Sequence, residues 1–295
     1  MSYRLEDAAT FMYKHARLLE RLLFDVQFRG ADASAVGALM KAYQNPDGGL
    51  GHALEPDVRC SESQPLFAEI GLMALRDAGV RDAALALSIC DFMQDVSNDA
   101  GLAPILLPSA FKAPRAEHWR SAGEPDLNPN AAICGLLHWQ RVEHPWLSLA
   151  TEACSRLVMS QSEPDAHALR CATRFVENLP TGGEADTLAA AIAVKLPGSR
   201  WYIADPAEEG YGLSPLEFAT SPESRWRSMF TEDQIEAHLD HLESLQQEDG
   251  GWPISWDAPG PAGTAEWRAH VTLNAVRTLA AYGRPSEPAK LSQLG

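Results

Sequence analysis

Basic residues are scarce: 24 Lys and Arg stand against 40 Asp and Glu, a formal net charge of −16 at pH 7. A surface of that sign repels nucleic-acid phosphates and anionic lipid at long range, so neither is expected as a partner. Only a local basic pocket could take an anion. Long apolar runs are missing as well. No stretch approaches ~18 uninterrupted apolar residues, so no membrane span is expected. The start, Met1-Ser2-Tyr3-Arg4-Leu5-Glu6-Asp7, lacks the charged segment and apolar run of an export signal. A cytoplasmic protein is the expectation. Cysteine is sparse and unpaired in number: Cys60, Cys90, Cys134, Cys154 and Cys171 are scattered through helix-like segments, poor material for a disulfide framework. Reduced, mostly buried thiols follow. Alternating β-branched patterns are almost absent too, which leaves few or no strands.

What is present is helical periodicity. A chain of 295 residues, 45% of them apolar, can bury a large core and sits near the upper size of one domain, so a single all-α domain over residues 1–295 is expected. Ala9, Phe11, Met12, Ala16, Leu19, Leu22 and Leu23 form one apolar stripe from Glu6 to about Gln27. A second helix runs from Ser34, a suitable N-cap, to Tyr43 and stops at Asn45-Pro46-Asp47-Gly48-Gly49. Gln64 to Ala78 is helical again, and further helices are expected over 81–95, 129–142, 146–161, 165–178, 184–195, 231–247 and 264–283. The region from Gly198 to Arg227 reads mainly as loop.

The order of these pieces repeats. Gln44-Asn45-Pro46-Asp47-Gly48-Gly49-Leu50 leads through a loop into one helix, and Gln246-Gln247-Glu248-Asp249-Gly250-Gly251-Trp252 leads through a loop into another. A degenerate third copy is Met93-Gln94 followed by Asp99-Ala100-Gly101-Leu102. In such a unit the Gln side chain bonds exposed backbone groups of the turn, the glycines make the turn, and the large apolar residue packs beneath it.

These Gln-x-x-Asp-Gly-Gly-apolar units resemble the repeat of squalene and hopene cyclases, other class II terpenoid cyclases, and the β subunits of protein prenyltransferases. Asp126-Leu127-Asn128-Pro129-Asn130-Ala131-Ala132-Ile133 and His144-Pro145-Trp146-Leu147 also resemble a bacterial branch of short prenyltransferase-like proteins. The resemblance implies an α/α toroid, a barrel of inner helices ringed by outer ones around a central cavity. That cavity would open where loops precede the inner helices. The chemistry of those relatives does not carry over. The Asp-x-Asp-Asp run with which class II cyclases protonate an alkene is absent. So is the zinc set of the prenyltransferases, for which Asp57-x-x-Cys60 has the wrong spacing. No basic cluster for a diphosphate is obvious.

Candidate chemistry therefore rests on the loops. After the first repeat come His52, Glu55, Asp57, Arg59, Glu62 and Gln64. Glu55 and Asp57 could act as an acid pair, or could edge the loop and cap the next helix. After the last repeat come Trp252, Trp256, Asp257, Glu266, Trp267, Arg268 and His270. Indole faces there can stabilise a cation or shelve a sugar ring, and Glu266 with Arg268 could orient a polar head, while Trp252 is expected to pack. Phe111, His118, Trp119 and Asp126 in the long central loop could complete the rim or form a lid. Cys134-x-x-x-His138 and His167-x-x-x-Cys171 have one-turn ligand spacing but match no zinc module, so no metal or cofactor is expected.

Glu55, Asp57 and Asp126 are thus the candidate catalytic carboxyls; His52, Arg59, Trp119, Trp256, Glu266 and Arg268 are the candidate substrate-binding residues. The leading expectation is an enzyme acting on an apolar small molecule, an isoprenoid or similar lipid, by carboxylic-acid general acid catalysis. A carbohydrate-active enzyme with paired carboxylates and a non-catalytic ligand-binding toroid remain open. Sequence leaves the oligomeric state undetermined.

Overall fold

Apolar residues at three- and four-residue spacing close into helices in the computed structural model, which describes residues 2–179 and 182–287. Twelve α-helices form among these residues: α1 Leu5–His15, α2 Leu18–Phe28, α3 Ser34–Tyr43, α4 Pro65–Asp77, α5 Ala83–Val96, α6 Leu127–Gln140, α7 Pro145–Ser160, α8 Ala166–Asn178, α9 Gly183–Lys195, α10 Pro215–Phe218, α11 Glu232–Ser244 and α12 Gly260–Ala281. The only β pairing among them is four isolated bridges. Among the described residues no helix is long and apolar enough to cross a membrane. The chain divides into two units, Asp32–Tyr202 and Met1–Ala31 with Ile203–Gly295.

In the unit Asp32–Tyr202, α6 packs against both α4 and α8, which ion pairs Glu69–Arg174 and Arg76–Glu177 also join directly, and α7 lies on α6, α5 and α9. Two layers result, α4, α6 and α8 in one and α5, α7 and α9 in the other. The sequence of α6 explains its central place. Ala131, Ala132, Ile133, Cys134, Leu136 and Leu137 are all buried, and a helix apolar on every face must be surrounded. Gly135 lets α8 come into backbone contact, since a Cβ there would lie 2.4 Å from the Arg174 carbonyl oxygen. Asp82 caps α5 by accepting from Leu85 N–H, and Asp165 caps α8 by accepting from His167 and Ala168 N–H.

In the other unit, α1 and α2 both pack on α12. The single helix expected from Glu6 to Gln27 is broken there. Ala16 and Arg17 are extended (ψ 152° and 166°). Arg17 donates to both carboxylate oxygens of Glu20, and Arg21 Nε donates to the Ala16 carbonyl at 2.8 Å. The break turns both apolar stripes onto α12, and Arg21 satisfies the Ala16 carbonyl that it frees. Residues 198–227 are mainly loop, as expected, with the four-residue α10 set into them. Ser214 and Glu217 form a capping box around Pro215, a start signal in four residues.

The repeated turns have one geometry. Asn45 N–H donates to the Gly49 carbonyl at 2.9 Å and Gly48 N–H to the Asn45 carbonyl at 3.0 Å; Gln247, Gly251 and Gly250 repeat both bonds at 2.9 and 3.0 Å. Asp47 and Asp249 each accept from the second glycine N–H at 3.0 Å. Gln44 and Gln246 each donate to the first glycine carbonyl, and Leu50 and Trp252 are fully buried beneath. The degenerate copy joins them: Asn98 N–H donates to the Leu102 carbonyl at 3.0 Å and Gly101 N–H to the Asn98 carbonyl at 2.9 Å. Its register starts at Asn98, with Gly101 taking the first glycine position at φ +79°.

Candidate functional site

The loop after the first turn folds back on itself, His52 N–H donating to Ser61 and Ala53 N–H to Cys60. His52 and Ala53 adopt positive φ (59° and 55°) at its tip, which leaves His52 exposed, while residues 54–58 are buried. Within it, Glu55 Oε2 accepts from Asp57 N–H at 2.8 Å, so Glu55 orients the backbone that carries Asp57. The same segment then pairs with the long central loop. Ala116 N–H donates to the Asp57 carbonyl at 2.8 Å, Arg59 N–H donates to the Pro114 carbonyl at 2.9 Å, and Val58 bridges Arg115.

This pairing sets His118 against Asp57, with Nε2 3.5 Å from Oδ2. The carboxylate side chain is 3% exposed and the imidazole 49%, so the ring is the accessible face of a buried acid. Arg115 holds the loop in place by donating to the carbonyls of Trp119 and Phe111 at 2.8 and 3.0 Å. Trp119 stacks obliquely beside His118, ring centroids 5.1 Å apart, and its Nε1–H is buried with no acceptor on the chain.

The start of α8 completes the cluster. His167 meets Trp201 edge-on at 5.5 Å, and Ala166 N–H donates to the Arg200 carbonyl at 2.9 Å, fastening the 200–201 segment to the helix. Trp201 takes φ +63°, a conformation that costs a bulky side chain energy. The Arg200 guanidinium sits 3.9 Å above its ring. Burial, then the positive charges of Arg170, His118 and Arg200, push the His167 pKa down to about 3. Burial lowers His118 also. His118, kept neutral at physiological pH, thus faces the buried Asp57 carboxylate, and His167 lies 3.8 Å from Asp165 at the start of α8. A neutral imidazole can accept a proton, and a carboxylate behind it fixes its orientation and stabilises the cation that forms.

The remaining candidates are placed differently. Asp126 caps α6, accepting from Leu127 N–H at 2.7 Å and from Gln161 Nε2 at 3.1 Å. Arg59 joins the cluster's loop through its backbone. Trp256, Glu266 and Arg268 belong to the other unit. There Trp256 meets Tyr211 and Trp267 edge-on at 5.8 and 5.1 Å, and Glu266 lies 3.9 Å from Arg17. Arg268 clamps the last turn, donating to Asp249 at 2.8 and 2.9 Å, to Gln247 at 2.6 Å and to the Trp252 carbonyl at 3.1 Å.

The Cys-His pairs separate by role. Cys134 is buried beside Cys154 and Cys90, while His138 bonds Thr151 at 2.8 Å. Cys171 faces Glu69 and Asn128, whereas His167 faces Trp201. Among the described residues no group of three or more His, Cys, Asp or Glu is arranged to hold a metal. A groove of about 880 Å³ walled by Leu102, Leu157, Met159 and Leu188 shares no residue with the His118 cluster.

Of the residues that the sequence singles out, Glu55, Asp57, Trp119 and the rim residue His118 come together at this loop pairing. His167, which the sequence offered only as a zinc candidate, stands beside Trp201 instead, and no motif in the sequence singled out Arg170, Arg200 or Trp201. The available signals were the one-turn spacing His167-x-x-Arg170 and the adjacent Arg200-Trp201 pair in a chain otherwise rich in acid. In comparisons with known proteins, no family model and no curated sequence matches this chain.

Proposed function

We propose that the unit Asp32–Tyr202 carries a general acid–base active site for a small polar substrate. His118 is the proton-transferring group, Asp57 orients it and stabilises the cation it forms on taking a proton, and His167 is a second neutral imidazole nearby. The observation that carries this reading is the Asp57–His118 pair, a buried carboxylate 3.5 Å from a half-exposed ring. Glu55 serves as a positioning residue through its bond to Asp57 N–H. The two-layered packing of α4, α6 and α8 against α5, α7 and α9 supports an arc of an α/α toroid as the scaffold. Glycosidic cleavage is the weaker use, because it asks for carboxyls on opposite sides of the substrate and Glu55 and Asp57 share one loop. The isoprenoid reading keeps one support, the Tyr211–Trp256–Trp267 aromatic group of the other unit, whose rings suit an apolar chain or a cation.

The test is turnover of a panel of esters, amides, glycosides and isoprenoid alcohols by the full chain and by Asp57→Asn and His118→Gln. Loss of a general base costs about 10²–10⁴-fold. The expected result is turnover of one polar class, reduced by that amount in His118→Gln with the unfolding temperature retained. Turnover indifferent to both substitutions, or confined to isoprenoids, overturns the reading.

A further inference from the structure

We propose that the substrate of this site carries a carboxylate, received by Arg170 and Arg200 beside the two imidazoles. This rests on the acid–base reading for what happens next, but the binding stands on its own observations. Many guanidinium groups of this acidic chain are matched by a carboxylate, as are Arg4, Arg17, Arg76, Arg174, Arg268 and Arg284, and others, such as Arg21, Arg81 and Arg115, bond backbone carbonyls. Arg170 and Arg200 pair with none among the described residues. Arg170 Nε–H is buried without an acceptor, and so is Trp119 Nε1–H beside His118. A buried donor is costly to leave unmet, so these two call for an acceptor that arrives from outside.

Three further features place that acceptor. Ala166 N–H bonds the Arg200 carbonyl, Trp201 meets His167 edge-on, and Arg170 stands one turn along α8 from His167, so both cations share the locality of that ring, on whose charge His118 also acts. Arg200 is laid flat on Trp201 at 3.9 Å, and Trp201 is held at φ +63°. A stacked guanidinium keeps its N–H edge free for a planar anion. The residual charge argues for a monoanion. Asp57 and Glu55 are buried in the same loop, and Asp165 lies 3.8 Å from His167, so a second negative charge on the ligand meets repulsion that a carboxylate avoids.

The probe is benzoate, with benzamide and inorganic phosphate as controls, titrated into the full chain while the ring signals of His118 and His167 are followed by NMR. The expected result is saturable binding of benzoate that shifts both rings, with benzamide and phosphate each binding at least about tenfold more weakly, as loss of a charge-assisted contact implies. Arg170→Gln, and Arg200→Gln at the exposed rim where folding is not at stake, should each weaken benzoate by a similar factor. Equal binding of benzamide, tighter binding of phosphate, or benzoate binding unchanged in both variants overturns the proposal. Asp57→Asn separates this claim from the acid–base reading. It removes a nearby negative charge, so benzoate binding should hold or tighten even if turnover is lost, and weakened binding there would also count against the carboxylate site.

Discussion

Replacing His167 by glutamine removes a group whose titration the fold suppresses, and the consequence can be worked out in pH units. In the unfolded chain the ring takes its proton near the ordinary value of 6.5, while in the fold burial first, and then the interactions with Arg170, His118 and Arg200, hold it to about 3. Between those limits the unfolded state binds the proton and the folded state does not, so stability is complete above pH 6.5 and falls as pH drops towards 3. The loss approaches 1.36 kcal/mol per pH unit, roughly 1.4 kcal/mol at pH 5.5 and roughly 2.6 kcal/mol at pH 4.5 relative to pH 7.5. Urea denaturation of the wild type and His167→Gln at these three pH values isolates the effect, because every other titrating group is common to both. The variant should lose less stability than the wild type on acidification, by those amounts. Parallel curves would show that His167 ionises normally in the fold, and the neutral imidazole assigned to the site would be withdrawn.

Two other perturbations read the fold itself. Gly250 has φ +92°, and a Cβ there would lie 2.2 Å from the Asp7 carbonyl oxygen, so Gly250→Ala should destabilise by about 2–4 kcal/mol. Gly30→Ala, at φ +71° in open space, should cost only about 1 kcal/mol in the same denaturation assay; equal losses would refute the close approach. Glu69 on α4 meets Arg174 on α8 at 2.7 Å with side-chain exposures of 5% and 17%. Glu69→Leu should lose about 3–5 kcal/mol by stranding the guanidinium, and Glu69→Leu with Arg174→Leu should recover much of that. A double variant as unstable as the single one would mean that the pair itself, rather than a stranded charge, carries the stability.

The periodic stripes and the Gln-x-x-Asp-Gly-Gly units were legible because their physics is local. Proline and glycine end α3 where the spacing says they must, and the glutamine and aspartate of each turn bond groups within a few residues of themselves. The break at Ala16-Arg17 was not legible. Leu18 to Phe28 continues the preceding stripe in sequence, and only packing on α12 decides that the chain must bend there. Arg268 has the same lesson. Its position among tryptophans and acids suggests a ligand contact, but its nearest acceptors are the Asp249, Gln247 and Trp252 atoms of a turn 16 to 21 residues away.

Sequence by itself determined that this protein is helical, where its repeated turns lie, and that its loops hold its polar side chains, since each follows from residues a turn or a few positions apart. Tertiary structure alone decided which of those side chains meet. Asp57 and His118 are 61 residues apart, and they are joined only because the backbone of 57–59 bonds that of 114–116. The neutral state of His167 is likewise a product of the fold, because a pKa records burial and every neighbouring charge, and those neighbours come from three separate stretches of chain.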